Sequence, residues 1–316
     1  MTARSMIDRM GTLIGLILVA IIFGLLVGSQ LFAPANIELM ARQAAIVCMA
    51  ALGMTVVIAT GGIDLSVGSI IALATVAIAL ALRADYAPLA AALAGVGAAA
   101  LCGLVNGVLI TQLRVVPFIV TLGTMLIVRG AAKGLAEERR IEAPTTWLND
   151  LLRTQSSLIL PGGIWAVLVL AVIVAALLRY TRFGRHVFAI GSNERMARLC
   201  GVAISRTKVL VYTLSGALAG MAGLLQFSKL SVGDPTVGIG AELDVIAAVI
   251  IGGGSLTGGR GSGIGTIMGA AIMTIIQIGC SQKGLPNWVQ QIVTGGIIVV
   301  AVALDRVRST RDVTPS

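Results

Sequence analysis

Long apolar runs separated by short polar segments make up most of the chain. A helix needs about 20 apolar residues to cross a bilayer core. Ten runs approach or reach that length: 11–29, 41–60, 66–84, 88–110, 116–134, 161–179, 208–226, 243–256, 262–281 and 287–304. This pattern predicts an all-α polytopic membrane protein with about ten transmembrane or re-entrant helices. The run at 243–256 is short, and its apolar length better suits a re-entrant or broken helix.

Composition agrees with this pattern. Of the 316 residues, 57% are hydrophobic and only 12% are charged, whereas about 25% of a typical soluble domain is charged. We therefore expect residues 1–316 to form a single transmembrane domain. No small-residue cleavage site follows the first apolar run, so we expect that run to be retained as a membrane span.

The net charge of +9 is unevenly distributed between the polar segments. Residues 179–208 contain six Arg and one Lys against a single acid, Glu194, whereas residues 136–160 are nearly balanced. Basic loops of membrane proteins remain in the cytoplasm. We therefore predict that 179–208 is a cytoplasmic loop and that both termini lie on its side of the membrane. The basic excess is interpreted as a topology signal, and no nucleic-acid partner is expected.

Small residues recur four positions apart within several apolar runs. These positions are Gly103 with Gly107, Gly216 with Gly220, and the series Gly261, Gly265 and Gly269. Such spacing places small residues on one helix face, where a neighbouring backbone can approach closely. It predicts tight helix packing at these positions.

Few residues suggest chemistry. No G-x-x-x-x-G-K-[ST] motif is present, His186 is the single histidine, and the four cysteines occur singly. The sequence therefore predicts no phosphate-binding loop, metal site or disulfide, and we expect no enzymatic activity and no cofactor on this chain. Ionisable groups inside the apolar runs are also scarce, which disfavours an ion-coupled carrier. A stand-alone ion-coupled sugar carrier remains the alternative.

Two glycine-rich interruptions share an outline. VVIATGGIDLSVGS at 56–69 and AVIIGGGSLTGGRGS at 248–262 each place glycines, one charge and Gly-Ser between apolar runs. Interrupted spans at corresponding places in two halves indicate a transport pathway. The candidate residues for a pathway or gate are Gly61, Gly62, Asp64, Ser66, Glu242, Asp244, Gly253, Gly254 and Arg260.

The first interruption has two interpretations. In the structural one, Gly61 or Gly62 ends the second helix in a left-handed turn, and Asp64 or Ser66 caps the third. In the functional one, the segment is a break inside the membrane, where Asp64 lines the pathway or forms a gate beside Arg260. Glu242 and Asp244, expected near the periplasmic mouth, leave the same choice between capping and function.

A short helix is predicted inside the 179–208 loop. Ser192 or Asn193 can cap it, Glu194 suits its first turn, and Gly201 suits the position after its end. The helix would run through ERMARLC and expose Arg195, Met196, Ala197 and Leu199. Exposed apolar side chains suggest docking into a partner's groove, although a plain solvated loop fits the residues equally well.

Five segments together resemble a known family. They are LGMTVVIATGGIDLSVGSIIAL (52–73), VVPFIVTLGTMLIVRG (115–130), TRFGRHVFAIGSNERMARLCGV (181–202), VYTLSGALAGMAGLL (211–225) and ELDVIAAVIIGGGSLTGGRG (242–261). The chain is similar to the permeases of bacterial monosaccharide ABC importers of the ribose, xylose and galactofuranose type. The chain departs from the family pattern in two small ways. Cys200 lies in the segment 181–202, and the tail after residue 304 is short.

The resemblance implies a fold, partners and a function. We expect an ABC importer permease fold of the vitamin B12/ribose type in the bacterial inner membrane, passing a monosaccharide such as a ribose-like pentose. Expected partners are a second permease copy or paralogue, a periplasmic sugar-binding protein, and a cytoplasmic ATPase that holds ATP and Mg²⁺. The segment 179–208 would couple to that ATPase through Gly191, Ser192, Asn193, Glu194, Arg195, Ala197, Arg198 and Gly201.

Overall fold

The computed structural model describes residues 3–153 and 160–311, and these segments are almost entirely helical. The helices are α1 (Ala3–Val27), α2 (Pro34–Ala59), α3 (Val67–Arg83), α4 (Pro88–Leu113), α5 (Pro117–Leu135), α6 (Gly162–Tyr180), α7 (Arg182–Ser192), α8 (Glu194–Leu199), α9 (Ile204–Leu230), α10 (Ala241–Ile251), α11 (Gly263–Gln282) and α12 (Asn287–Arg311). Two short strands, β1 (Ile141–Glu142) and β2 (Val232–Gly233), pair antiparallel. Short 3-10 helices occupy Ser29–Phe32 and Trp147–Asp150.

Each of the ten predicted apolar runs contains a helix, and α7 and α8 lie between them in the 179–208 segment. Among the described residues, six helices are long and apolar enough to cross a membrane: α2, α4, α5, α6, α9 and α11. Apolar stretches at 11–27, 67–83 and 287–303 are shorter. The protein is thus an all-helical, multi-pass membrane protein.

Several boundaries differ from the predicted ones. Helix α2 begins at Pro34, well before the predicted start at 41, because proline suits the first position of a helix. Helix α10 ends at Ile251 because the glycines that follow adopt turns, including Gly253 at φ 91°. Helix α7 was not predicted as a separate helix from the sequence. Its N-terminus is capped by the Thr181 hydroxyl, which accepts a hydrogen bond from Gly184 N.

The core forms around α2 and α9. Every residue of α2 from Ala45 to Ala59 is buried, and α9 packs against α2, α3 and α4. Helix α11 packs against α2 on another side and also contacts α1 and α10. The central helices therefore lie inside the protein, whereas α1, α4, α5 and α6 each expose large apolar side chains to their surroundings.

The predicted glycine packing is confirmed. A side chain on Gly103 would collide with the Tyr212 carbonyl oxygen, and Gly216 faces the Gly103 backbone where α4 meets α9. Similarly, side chains on Gly265 and Gly269 would collide with carbonyl oxygens of Gly252 and Ala248 where α11 meets α10. The small residues let these backbones touch, because lipid supplies no hydrophobic force to press helices together.

The loop between α9 and α10 penetrates the protein. Gly233 packs against Thr75 and Ala79 of α3, whereas Gly238 packs against Gly68 at the start of α3. This loop therefore runs along α3 over about 10–16 Å, given a rise of about 1.5 Å per residue. Helix α10, with 11 residues, begins at that depth and is too short to span a core about 30 Å thick.

The contact between α4 and α9 gives a test of this packing. Replacing Gly103 with Val should destabilise the protein by about 1–3 kcal/mol or more, because the added methyl groups meet backbone atoms that cannot rotate away. Gly97→Val on the same helix is the matched control, since a side chain there meets nothing within 4 Å. Thermal unfolding in detergent measures both variants, and equal stability of the two would contradict the packing described.

Candidate functional site

The break between α2 and α3 is a partly buried turn, in which Gly62, Asp64 and Ser66 are buried and Gly61 is exposed. Gly61 adopts φ 78° directly after α2, which confirms the predicted left-handed helix end. The Asp64 carboxylate accepts hydrogen bonds from Ser66 through one oxygen, with backbone N at 2.9 Å and Oγ at 2.6 Å. Asn106 Nδ2 on α4 donates in turn to Ser66 Oγ at 2.8 Å. These contacts fix the conformation of the turn from both sides.

Ser66 occupies the N-cap position of α3, but its side chain caps no backbone N–H group. Its hydroxyl donates to Asp64 instead. Asp64 itself is fully buried, and its second carboxylate oxygen has no hydrogen-bond partner among the described residues. In this conformation the carboxylate faces the protein interior and no open path.

The break lies well inside the ends of the neighbouring helices. Asn106 precedes the end of α4 by seven residues, and Tyr212 follows the start of α9 by eight. These offsets correspond to about 10–12 Å along each helix. Gly62 lies against Tyr212, whose hydroxyl would be 2.5 Å from a Cβ atom placed on Gly62. The buried part of the turn is therefore enclosed by protein, as irregular backbone in a membrane must be.

The second break, between α10 and α11, is held by different groups. Asp305 on α12 accepts from Ser255 Oγ at 3.0 Å and from Leu256 N at 3.3 Å. Ser262 caps α11 by accepting from Gly265 N. Gly253, Gly258 and Gly259 have positive φ angles of 91°, 87° and 75°, which favour glycine. No sequence pattern indicated that Asp305, just after the end of an apolar run, anchors this break.

The two breaks meet at the end of α7. Gly259 N donates to the Ala59 carbonyl oxygen at 3.0 Å, which joins the second break to the end of α2. A side chain on Gly191 would collide with that same carbonyl oxygen and lie close to Gly259 N. Gly258 in turn packs against Gly191 and Gly61. We call this three-way contact of Ala59–Gly61, Gly258–Gly259 and Gly191–Ser192 the glycine junction.

The interpretation in which Asp64 forms a gate beside Arg260 stays a prediction. Asp64 makes its hydrogen bonds to Ser66 and has no ion pair with Arg260. The reason is geometric, because the breaks touch through the backbone of their glycines and Asp64 turns inward towards α4. The two similar sequence segments thus contact each other directly through their backbones, without an ion pair between Asp64 and Arg260.

Helix α8 follows the glycine junction by one residue and matches the prediction closely. Asn193, the residue between the two helices, accepts from Met196 N at 3.0 Å, so Asn193 rather than Ser192 is the cap. Gly201, at φ 81°, follows the helix end. Glu194 pairs with Lys208 of α9 at 2.7 Å and with Arg198 at 3.2 Å, which anchors α8 to the start of α9.

The exposed face of α8 differs from the expected one at one residue. Leu199 is 81% exposed and Met196 is 55% exposed, whereas Ala197 is only 5% exposed. Ala197 packs with Ile190 and Ile204 in a small cluster, because its position on the helix faces α7 and α9. The expectation that Ala197 lies on the docking surface is therefore wrong, and its small side chain lets α8 sit close to its neighbours.

The first turn of α10 carries Glu242 and Asp244, at a greater depth than the expected mouth position. The Glu242 carboxylate lies against Gly68, in the first turn of α3. Arg129 of α5 donates to the carbonyl oxygens of Pro235 and Val237 at 2.9 and 2.6 Å, which holds the preceding loop in place. A lone arginine inside an apolar run was the sequence signal for this anchor. The N-cap residue of α10 is Gly240, which has no side chain to cap the helix.

The comparisons with known proteins identify the family. The chain matches the model described as the permease component of branched-chain amino acid transport systems over residues 36–302, and it belongs to that family. The ribose import permease of Bacillus subtilis is 38% identical over 306 residues, which cover 96% of this chain and 95% of that protein. The resemblance predicted from the five sequence segments is confirmed.

Other relatives are named for other sugars. The fructose import permease of Rhizobium meliloti is 34% identical, covering 93% of this chain and 84% of that protein. The L-arabinose ABC transporter permease of Azospirillum brasilense is 36% identical, covering 87% and 81%. A solved inward-facing metal-chelate type ABC transporter aligns with a TM-score of 0.51 at 14% identity, covering 92% of this chain and 98% of that chain. That likeness concerns the fold alone.

The hydrogen bonds of the first break make a stability prediction. Asp64→Ala removes the acceptor of two buried hydrogen bonds and should cost about 1–3 kcal/mol, because the Ser66 donors are left unpaired. Asp64→Asn keeps a carbonyl oxygen for Ser66 and should cost clearly less. Thermal unfolding of the purified variants tests this order, and equal losses in the two variants would show that the carboxylate charge matters more than its acceptor role.

Proposed function

We propose that this chain is the membrane permease subunit of an ATP-driven importer that passes a monosaccharide, such as a ribose-like pentose, across the bacterial inner membrane. Relatives at 34–38% identity over most of their length support the transport class. Their names refer to three different sugars, which supports the class of monosaccharides and leaves the particular sugar to experiment. They also favour this function over a stand-alone ion-coupled carrier.

The glycine junction is the observation that carries the mechanism. It places the residues directly before α8 against the ends of both helix breaks, with backbone contacts at Ala59, Gly191 and Gly259. A movement of α8 would therefore reach both breaks without intervening flexible side chains. In the proposed cycle, an ATPase pushes α8 and the two breaks shift together, which opens the pathway alternately to the two sides.

The exposed face of α8 is the proposed ATPase docking surface. Leu199 and Met196 supply apolar contact area, and Arg195 and Arg198 supply charge at the edge. Glu194 and Ala197 have a positioning role, because they hold α8 against α9 and α7. Gly191, Ser192, Asn193 and Gly201 shape the approach and the end of the helix. ATP and Mg²⁺ would bind to the ATPase subunit, and no cofactor is assigned to this chain.

The breaks are the proposed gate of the pathway. The residues assigned to it are Gly61, Gly62, Asp64, Ser66, Glu242, Asp244, Gly253, Gly254 and Arg260. For Asp64, exposure to a sugar requires the turn to open, since the carboxylate is buried here. We place α8 and both termini in the cytoplasm, following the basic 179–208 segment. A second permease copy or paralogue would complete the pathway, and a periplasmic binding protein would deliver the sugar.

Leu199→Asp tests the docking surface. An aspartate in the centre of an apolar contact should weaken ATPase binding about tenfold or more without changing the fold, because Leu199 touches solvent. Co-purification of the chain with its ATPase, followed by sugar-stimulated ATP hydrolysis in nanodiscs, measures the effect.

Arg185→Ala on the neighbouring helix α7 is the control, since Arg185 is also exposed. Both substitutions lower the net charge of the 179–208 segment by one unit. Retention of full ATPase binding by Leu199→Asp would refute the docking surface. Sugar uptake by the chain alone along an ion gradient would refute the importer and support the carrier.

A further inference from the structure

A cavity of about 220 Å³ lies between α2, α9 and α10, at the ends of α2 and α9 that are remote from α8. Four polar side chains from three helices line it: Gln43, Gln226, Lys229 and Asp244. Its floor is apolar and includes Ile46, Val47, Ala50, Ile71 and Val245. The lining includes no aromatic side chain.

The cavity extends deep along α2. Gln43 lies nine residues after the start of α2 at Pro34, and Ala50 lies sixteen residues after it. These positions are about 13 and 24 Å along a helix whose 26 residues span about 39 Å. The first turn of α10 also begins here, at the inner end of the penetrating loop. Transport sites of membrane proteins lie near the middle of the bilayer, beside the ends of such interrupted helices.

The polar groups of this cavity have capacity to bind a ligand. Lys229 Nζ donates to Gln43 Oε1 at 2.6 Å, which leaves the amide N–H groups of Gln43 available. Gln226 makes no hydrogen bond to any other residue in the described parts of the chain. Ionisable and amide side chains at the depth of Gln226 and Asp244 are costly in lipid and mark pathways for polar substrates, whereas Lys229 is exposed at the end of α9. Packing alone does not account for four of them around one cavity.

The chemistry of the lining matches a neutral polyol. Each hydroxyl of a sugar donates and accepts, and the lining offers both donors and acceptors from two amides, one ammonium and one carboxylate. Lys229 lies near Arg42 and Asp244 lies near Glu242, so both signs of charge are present in equal number and a neutral ligand leaves neither in excess. The volume corresponds to about seven waters at about 30 Å³ each, which suits a single small sugar. The missing aromatic platform implies weak binding, as passage requires.

We propose that this cavity is a weak monosaccharide subsite of the pathway, in which Gln226 and Asp244 contact sugar hydroxyls and Gln43 and Lys229 complete the ring of polar groups. The inference rests on the proposed function and adds to it the residues that hold the sugar between its delivery and the gate. Gln43, Gln226 and Lys229 have no role in the junction or in the docking surface.

The test uses the assembled complex in proteoliposomes with sugar-loaded binding protein at saturation. D-ribose, D-fructose and L-arabinose are the probes. In Gln226→Leu and Asp244→Asn, the sugar moved per ATP hydrolysed should fall about two- to tenfold, the effect of one lost hydrogen bond. In Gln226→Leu, stimulation of ATP hydrolysis by the loaded binding protein should persist, because α8, the junction and the proposed gate residues are unchanged. Gln291→Leu on α12 is the control, since that side chain is exposed.

A second measurement separates binding from folding. Ala241→Cys, in a chain whose four native cysteines are replaced, introduces a thiol at the cavity wall. High concentrations of the transported sugar should slow its labelling by a maleimide, and the additional change Gln226→Leu should abolish that protection. Unchanged transport in both polar variants, or labelling that no transported sugar slows, would overturn the subsite while leaving the importer intact. A wild-type complex that moves none of the three sugars would overturn the proposed function itself.

Discussion

Backbone groups in a membrane must find their hydrogen-bond partners inside the protein, because lipid offers none, and the two helix breaks of this chain obey that constraint through close contact. Gly259 N uses the carbonyl oxygen that the end of α2 leaves free at Ala59. The contact needs glycine at 191 and at 259. A side chain on Gly191 would collide with the same carbonyl oxygen, and a side chain on Gly259 would collide with Ser192. The glycine junction thus does two things. It pairs backbone groups that lipid would leave without partners, and it connects the residues before α8 to both breaks.

The same constraint explains why polar side chains concentrate at a few places. Asp64, Ser66 and Asn106 hold the first break, Asp305 holds the second, and Arg129 holds the loop before α10. Each supplies hydrogen bonds where regular helix stops. The polar cavity at Gln226 and Asp244 is different, because its groups surround open volume. This contrast separates residues that maintain the fold from those assigned to substrate.

Much of this arrangement could be predicted from the sequence, and the rest required three dimensions. Apolar length and glycine spacing gave the helices and their tight contacts, and cap residues gave α8, because these signals are local. The inward orientation of Ala197, the role of Asp305 and the meeting of the two breaks depend on contacts distant in sequence. The absence of an ion pair between Asp64 and Arg260 in this structure has the same reason: similar segments indicated proximity, but not which atoms would meet.

We propose that the glycine junction transmits movement of α8 to both breaks. The most direct test is the ratio of sugar imported to ATP hydrolysed in a Gly191→Ala complex. The added methyl group must displace the Ala59 and Gly259 backbones. We therefore expect the ATPase to remain bound and to hydrolyse ATP, while the sugar imported per ATP falls roughly tenfold or more. Gly130→Ala, where a side chain meets open space, should keep the normal ratio. An unchanged ratio in Gly191→Ala would show that the glycine junction does not transmit the movement of α8.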